Sequence, residues 1–263
     1  MRARRRAQIG CALAAGLAIL TTLLPSAAHA ATSEASASLH VSLVPERLGQ
    51  GTTIEFSFTL AGPDHALPPP VTQLSLLYPP RFGIVTSGLG LATCKISLLE
   101  TFGPTSCPSR SLMGYGTATG AVEIAGERIE EQALTAVYMA PFAEGEIVLL
   151  FNLEAYRPLQ DYLVFNGRLL PAHAPYGGAL SISVPPIESV GGGEISLVRL
   201  RSTIGPLGIT YYNRIRGRFV PYHPSGIVLP RRCPRGGFPF AVSFKFADGS
   251  ELMARRTVPC PAR

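Results

Sequence analysis

Apolar residues recur at every second position through Thr53-Ile54-Glu55-Phe56-Ser57-Phe58-Thr59-Leu60, and a side-chain period of two is the period of a β-strand. The same texture returns in GTATGAVEIAG, EIVLLFNLEAY, YLVFNGRLL, GALSISVPP, EISLVRLRS and ITYYNRIRGRFVPY, each run cut off by glycine or proline. Beyond the first thirty residues no segment carries a capped apolar stripe at helical spacing. The 27 glycines and 24 prolines disfavour helices of more than a few turns, since an interior glycine costs about 1 kcal/mol and an interior proline about 3 kcal/mol. Short strands with turn signals roughly every 8–12 residues predict an all-β fold, an antiparallel β-sandwich with immunoglobulin-like layering.

The amino terminus reads differently. MRARRRAQIG is basic, CALAAGLAILTTLLP is apolar, and Ala28-His29-Ala30 supplies small residues at a cleavage site. This is the pattern of a secretory signal peptide over residues 1–30. Cleavage leaves a short linker, 31–38, and a β domain over 39–263, with no transmembrane segment. PPIESVGGGE, 185–194, is the internal stretch that resembles a boundary: it divides two β lobes, or it is a long surface loop within one domain. Charge changes sign there, since residues 31–187 hold seven basic and thirteen acidic side chains and residues 188–263 hold twelve and four. Such asymmetry marks an anionic partner, another surface protein, or two faces that pair with each other.

Four cysteines follow the signal segment: Cys94, Cys107, Cys233 and Cys260. An even count in an exported chain predicts disulfides, and proximity along the chain selects Cys94–Cys107 and Cys233–Cys260. Between the second pair, Phe238, Phe240, Val242, Phe244 and Phe246 fall on one strand face, and Asp248-Gly249 supplies the turn of a hairpin. A metal site needs paired cysteine or histidine ligands a few residues apart, and none of the four has such a neighbour. No metal and no cofactor is expected.

GYGTATG, 114–120, invites comparison with a phosphate-binding loop, but that chemistry needs a helix N-terminus to follow, and AVEIAG alternates like a strand. The chain lacks G-x-S-x-G, S-x-x-K and H-E-x-x-H motifs, and its histidines are scattered. No catalytic residue is therefore assigned. The strongest candidate for binding is TYYNRIRGRFVPY, 210–222. Read as one strand, it places Tyr212, Arg214, Arg216 and Arg218 on a single face. Such a row suits phosphates or carboxylates, with Arg231, Arg232 and Arg235 extending it. Nucleic acid is a poor partner for an exported chain that keeps nineteen basic against seventeen acidic residues after cleavage.

The segments SGLGLATC, CPSRSLMGYGTA, LGITYYNRIRGR, GIVLPRRCPRGGFPFAVSFKFADG and TVPCP resemble those of uncharacterised secreted proteins of actinomycete-type bacteria. The resemblance implies an exported, disulfide-bearing β protein and brings no catalytic role with it. The sequence therefore reads as a secreted or envelope-associated, non-enzymatic protein whose partner is an anionic envelope polymer. The alternative is an extracellular hydrolase whose histidine, carboxylate and hydroxyl converge only in the fold. A third possibility, an envelope pore, suits the alternating strands but not the prolines that interrupt them.

Overall fold

The computed structural model describes residues 35–84, 92–158, 160–189 and 192–261. The expected signal peptide lies outside them. Fifteen strands occur among the described residues: β1 (Ser36–Val44), β2 (Gly51–Ala61), β3 (Val71–Tyr78), β4 (Gly83–Ile84), β5 (Leu112–Ile124), β6 (Glu127–Met139), β7 (Val148–Arg157), β8 (Asp161–Pro171), β9 (Gly178–Ser183), β10 (Ser196–Ile204), β11 (Tyr211–Ile215), β12 (Arg218–Tyr222), β13 (Ile227–Val228), β14 (Phe238–Phe246) and β15 (Glu251–Val258). β1 begins at Ser36, so the last residues of the expected linker already belong to the sheet.

The strands run in the order β15-β14-β3-β9-β8-β7-β6-β5-β10-β2, with β1 on the far side of β2. Each of these named pairings is antiparallel. β1 then lies beside β15, so the sheet curls until its two edges nearly meet. The all-β antiparallel class is as the sequence predicts. Immunoglobulin-like layering is not what the strand path describes: one continuous sheet turns back on itself as a nearly closed barrel. The reason is that a period of two tells each strand which side faces in, and both architectures satisfy that rule.

The interior is filled rather than hollow. Phe56 and Phe58 of β2, Leu74 and Leu76 of β3, and Phe238, Phe240, Val242, Phe244 and Phe246 of β14 are all buried in one cluster. Phe58 meets Phe244 edge to face with ring centroids 4.9 Å apart, and Phe82 sits in the same way on Phe238 at 5.7 Å. The alternate residues of these strands, such as Glu55, Ser57 and Lys245, are half-buried or exposed. Apolar in and polar out is the reverse of a water-filled pore. Among the described residues no helix is long and apolar enough to cross a membrane.

Both disulfides join the residues expected. Cys94 is bonded to Cys107 with Cα atoms 5.1 Å apart, and Cys233 to Cys260 at 5.9 Å. The second closes the open end of the β14–β15 hairpin, where Phe238 pairs with Val258, and Gly249 turns the closed end at a φ of 81°. The first staples a short helix, α1 (Ile96–Phe102), to the outside of the barrel. Leu99 and both cysteines pack there on Tyr138, Val148 and Leu150, and the Tyr162 hydroxyl donates to the Leu99 carbonyl at 2.7 Å. Seven residues are too few for a helical period to stand out in sequence.

Candidate functional site

Tyr212, Arg214, Arg216 and Arg218 do not form one straight row. Arg216 and Gly217 have φ values of 49° and 81°, the paired positive values of a tight hairpin turn, and the segment folds back as β11 against β12. In this register Arg214 faces Phe219, Tyr212 faces Pro221 and Ile215 faces Arg218. Tyr212, Arg214 and Phe219 therefore share one face, Ile215 and Arg218 share the other, and Arg216 occupies the tip. The expected single arginine face is corrected to a basic hairpin with cations on both sides and at its end. Its apolar residues stay in solvent too: Phe219 is 73% exposed, and Tyr212 and Ile215 are exposed beside it.

The hairpin is fixed at its root. Tyr211 is 2% exposed, its hydroxyl donates to the Leu112 carbonyl, and Arg110 Nη1 donates to Asn213 Oδ1 at 3.3 Å. Burial pushes the Tyr211 phenol up to about 12. Because the folded value exceeds the unfolded one near 10, Tyr211 contributes stability that is present below pH 10 and lost as the pH rises toward 12. Tyr211→Phe is expected to flatten part of this alkaline loss. It should also speed tryptic cleavage after Arg214, Arg216 and Arg218 severalfold, because the root loses about 1 kcal/mol of hydrogen bonding. Time-resolved peptide mapping at neutral pH and unfolding curves between pH 9 and 12 measure the two effects.

A second basic feature lies on the outer face of the barrel. His40 of β1, Ser57 of β2, Arg201 of β10 and Thr117 of β5 are directly opposite one another in successive ladders. Ser42, Glu55 and Thr203 form the next row. Together with Tyr115 and Leu134 these residues line an open groove of about 790 Å³. Arg199 extends it with Ser38, Thr59 and Thr119, where Ser38 Oγ and Thr59 Oγ1 are 2.6 Å apart. The groove approaches the hairpin root, since Tyr115 is three residues, roughly 10 Å, beyond Leu112 along β5.

Among the described residues the ion pairs are Arg128–Glu130, Arg168 with Glu144 and Glu146, and Lys245–Glu251. Arg199, Arg201, Arg214, Arg216 and Arg218 take part in none of them. Arg231 and Arg232 line an open depression with Arg81 and Gly49. No three His, Cys, Asp or Glu side chains among the described residues gather to hold a metal ion. GYGTATG lies within β5, whose strand continues through AVEI.

The groove does bring a histidine, a carboxylate and hydroxyls together, yet their connections differ from those of a nucleophilic triad. Ser42 Oγ donates to Glu55 Oε2 at 3.2 Å, which occupies the carboxylate. His40 and Ser57 face each other without a hydrogen bond among the described residues. Their backbones lie within paired strands, where N–H groups are consumed by the ladder rather than aimed at a developing oxyanion. What the groove offers is two guanidinium forks in a field of hydroxyls, suited to binding anions. Arg199 and Arg201 were missed in the sequence, although their signal stood in EISLVRLRS as arginines two apart in a strand pattern. Comparison with protein-family models, with curated proteins and with solved structures finds no match.

Proposed function

We propose that the chain is a secreted or envelope-associated, non-enzymatic β protein that binds an anionic envelope polymer along the Arg199–Arg201 groove and the adjoining hairpin. The observation that carries this reading is the pair of arginines on β10, which join no ion pair among the described residues and are flanked by hydroxyls from β1, β2 and β5. A polymer with phosphate or carboxylate at regular intervals would meet guanidinium groups about 7 Å apart along β10 and hydroxyl donors beside them. The two disulfides fit an oxidising compartment.

The test is titration of the purified protein with poly(glycerol phosphate) and with polygalacturonate at several salt concentrations. Arg199→Gln with Arg201→Gln should weaken binding about tenfold at low salt, with a shallower salt dependence, because exposed charge contacts are screened within about 10 Å at 0.1 M. Arg214→Glu with Arg216→Glu should weaken the same binding, and this reports the hairpin's share. Unchanged affinity in the Arg199/Arg201 variant would return both residues to a solvated strand face. An extracellular hydrolase is the second reading, favoured by the meeting of His40, Glu55 and Ser57 in one groove. Turnover of any ester or amide substrate that Ser57→Ala abolishes would replace the non-enzymatic reading.

A further inference from the structure

We infer that one end of the barrel interior is a binding site for a small organic cation with a short apolar body. The inward face of the sheet tapers toward that end. Across β5, β6 and β7, Ala118, Ala133 and Ala155 stand directly opposite one another, and the row ends at Asp161 of β8. One row deeper, Thr135 of β6 pairs with Leu153 of β7, which pairs with Leu163 of β8. Deeper again the row holds Val137, Phe151 and Phe165, whose last two rings stack at 5.6 Å. Large side chains close the middle of the barrel, and three successive alanines leave its end open.

The result is a cavity of about 110 Å³ walled by Val71, Leu153, Leu163 and Leu197, with residues 185–187 across it. It is smaller than the ~150 Å³ engineered cavity that holds benzene, which suits a body of about four to six carbons. Its polar groups have one sign. Glu131, Asp161 and Glu194 line it, and among the described residues no lysine, arginine or histidine does. None of the three carboxylates joins an ion pair among the described residues. Burial first, and then the charge of Asp161, raise the Glu131 carboxyl above its usual value, as expected when two carboxylates share a partly desolvated site.

The chemistry selects the ligand. An apolar body gains from entering the cavity whatever its head group. An anionic head meets three carboxylates, a neutral one gains only hydrogen bonds, and an ammonium relieves the repulsion between Glu131 and Asp161 while donating hydrogen bonds to both. Thr135, the inward-facing residue one row deeper than Ala133, is 6% exposed and its hydroxyl has no partner among the described residues. Buried hydroxyls are normally paired, so the inner end of this region also has an unmet polar group.

The experiment uses the full mature chain and n-hexylammonium as the probe, with 1-hexanol and hexanoate as controls, followed by calorimetry and by NMR shifts of the Ala118 and Ala133 methyl groups. Hexylammonium should bind at least tenfold more tightly than hexanol, and hexanoate should not bind. Glu131→Gln should weaken hexylammonium about tenfold, and Ala133→Leu, which fills the cavity, should abolish binding while keeping or raising the melting temperature. Ala118→Val makes the same test from the neighbouring strand if Ala133→Leu fails to fold. The inference is overturned if hexylammonium does not bind, if hexanol or hexanoate binds as tightly, or if a folded cavity-filling variant retains full affinity.

Discussion

Phe244→Ala lowers the melting temperature by roughly 6–20 °C. Phe244 is 0% exposed and touches Phe58 of β2, brought from far along the chain, edge to face at 4.9 Å, as well as Phe246 two residues on in β14, stacked at 6.3 Å. Truncating a buried phenylalanine removes its transfer free energy and leaves a cavity, together about 3–5 kcal/mol. In a domain of 150–250 residues each kcal/mol shifts the midpoint by roughly 2–4 °C. The loss is concentrated here because β14 and β2 are not hydrogen-bonded neighbours and meet only through side chains across the interior. Phe219→Ala, which removes an equally large ring from the exposed hairpin, should move the midpoint by about 2 °C or less, since surface changes cost within about 0.5 kcal/mol. Calorimetry on the two variants separates the cases. Equal shifts would mean that the barrel interior is not closed around Phe244.

What the chain announced locally, it built. The alternation in β2 and in β14 fixes which side chains turn inward, because a strand offers only two faces. Cys233 and Cys260 sit at the two ends of one hairpin, so proximity in sequence became proximity in space. The hairpin of β11 and β12 was half legible. Its alternation continues across Arg216, which suggested one strand, while Gly217 carried the opposing signal of a turn. The closure of β1 onto β15 and the placement of β3 between β14 and β9 have no local cue, because pairing partners are chosen by the packing of the whole. The same limit hid the candidate cavity. Ala118, Ala133 and Ala155 lie 15 and 22 residues apart in the sequence and become one row only through the registers of three strands. The groove likewise needs β1, β2, β10 and β5 side by side before His40, Ser57, Arg201 and Thr117 align.

Gly116→Val is expected to be among the most damaging single changes in the chain, with a cost of roughly 3–5 kcal/mol. GYGTATG resembles a phosphate loop in writing, but its glycines serve the contact between β5 and β10. A Cβ built on Gly116 would strike the Arg201 carbonyl oxygen and stand 2.7 Å from Ser202 Cα and 2.9 Å from Thr135 Oγ1. One built on Gly114 would strike the Thr203 carbonyl oxygen. The two carbonyl oxygens and Ser202 Cα are backbone atoms, which cannot rotate away, so the strands must separate. A glycine inside a strand often marks such an approach of two backbones. Overpacking alone costs about 1–3 kcal/mol, and pushing β10 aside adds the loss of ladder bonds at about 1 kcal/mol each. Gly126→Val is the control: its φ of 82° strains a side chain, yet nothing lies within 4 Å of the added atom, so only about 1–2 kcal/mol of backbone strain is expected. Urea unfolding of both variants measures the difference. Because Arg201 and Thr117 stand on the two strands forced apart, Gly116→Val should also weaken polymer binding under conditions where the protein remains folded, and Gly126→Val should not. A Gly116→Val protein as stable as Gly126→Val would show that β5 and β10 do not approach this closely, and the alignment of the groove would fall with that contact.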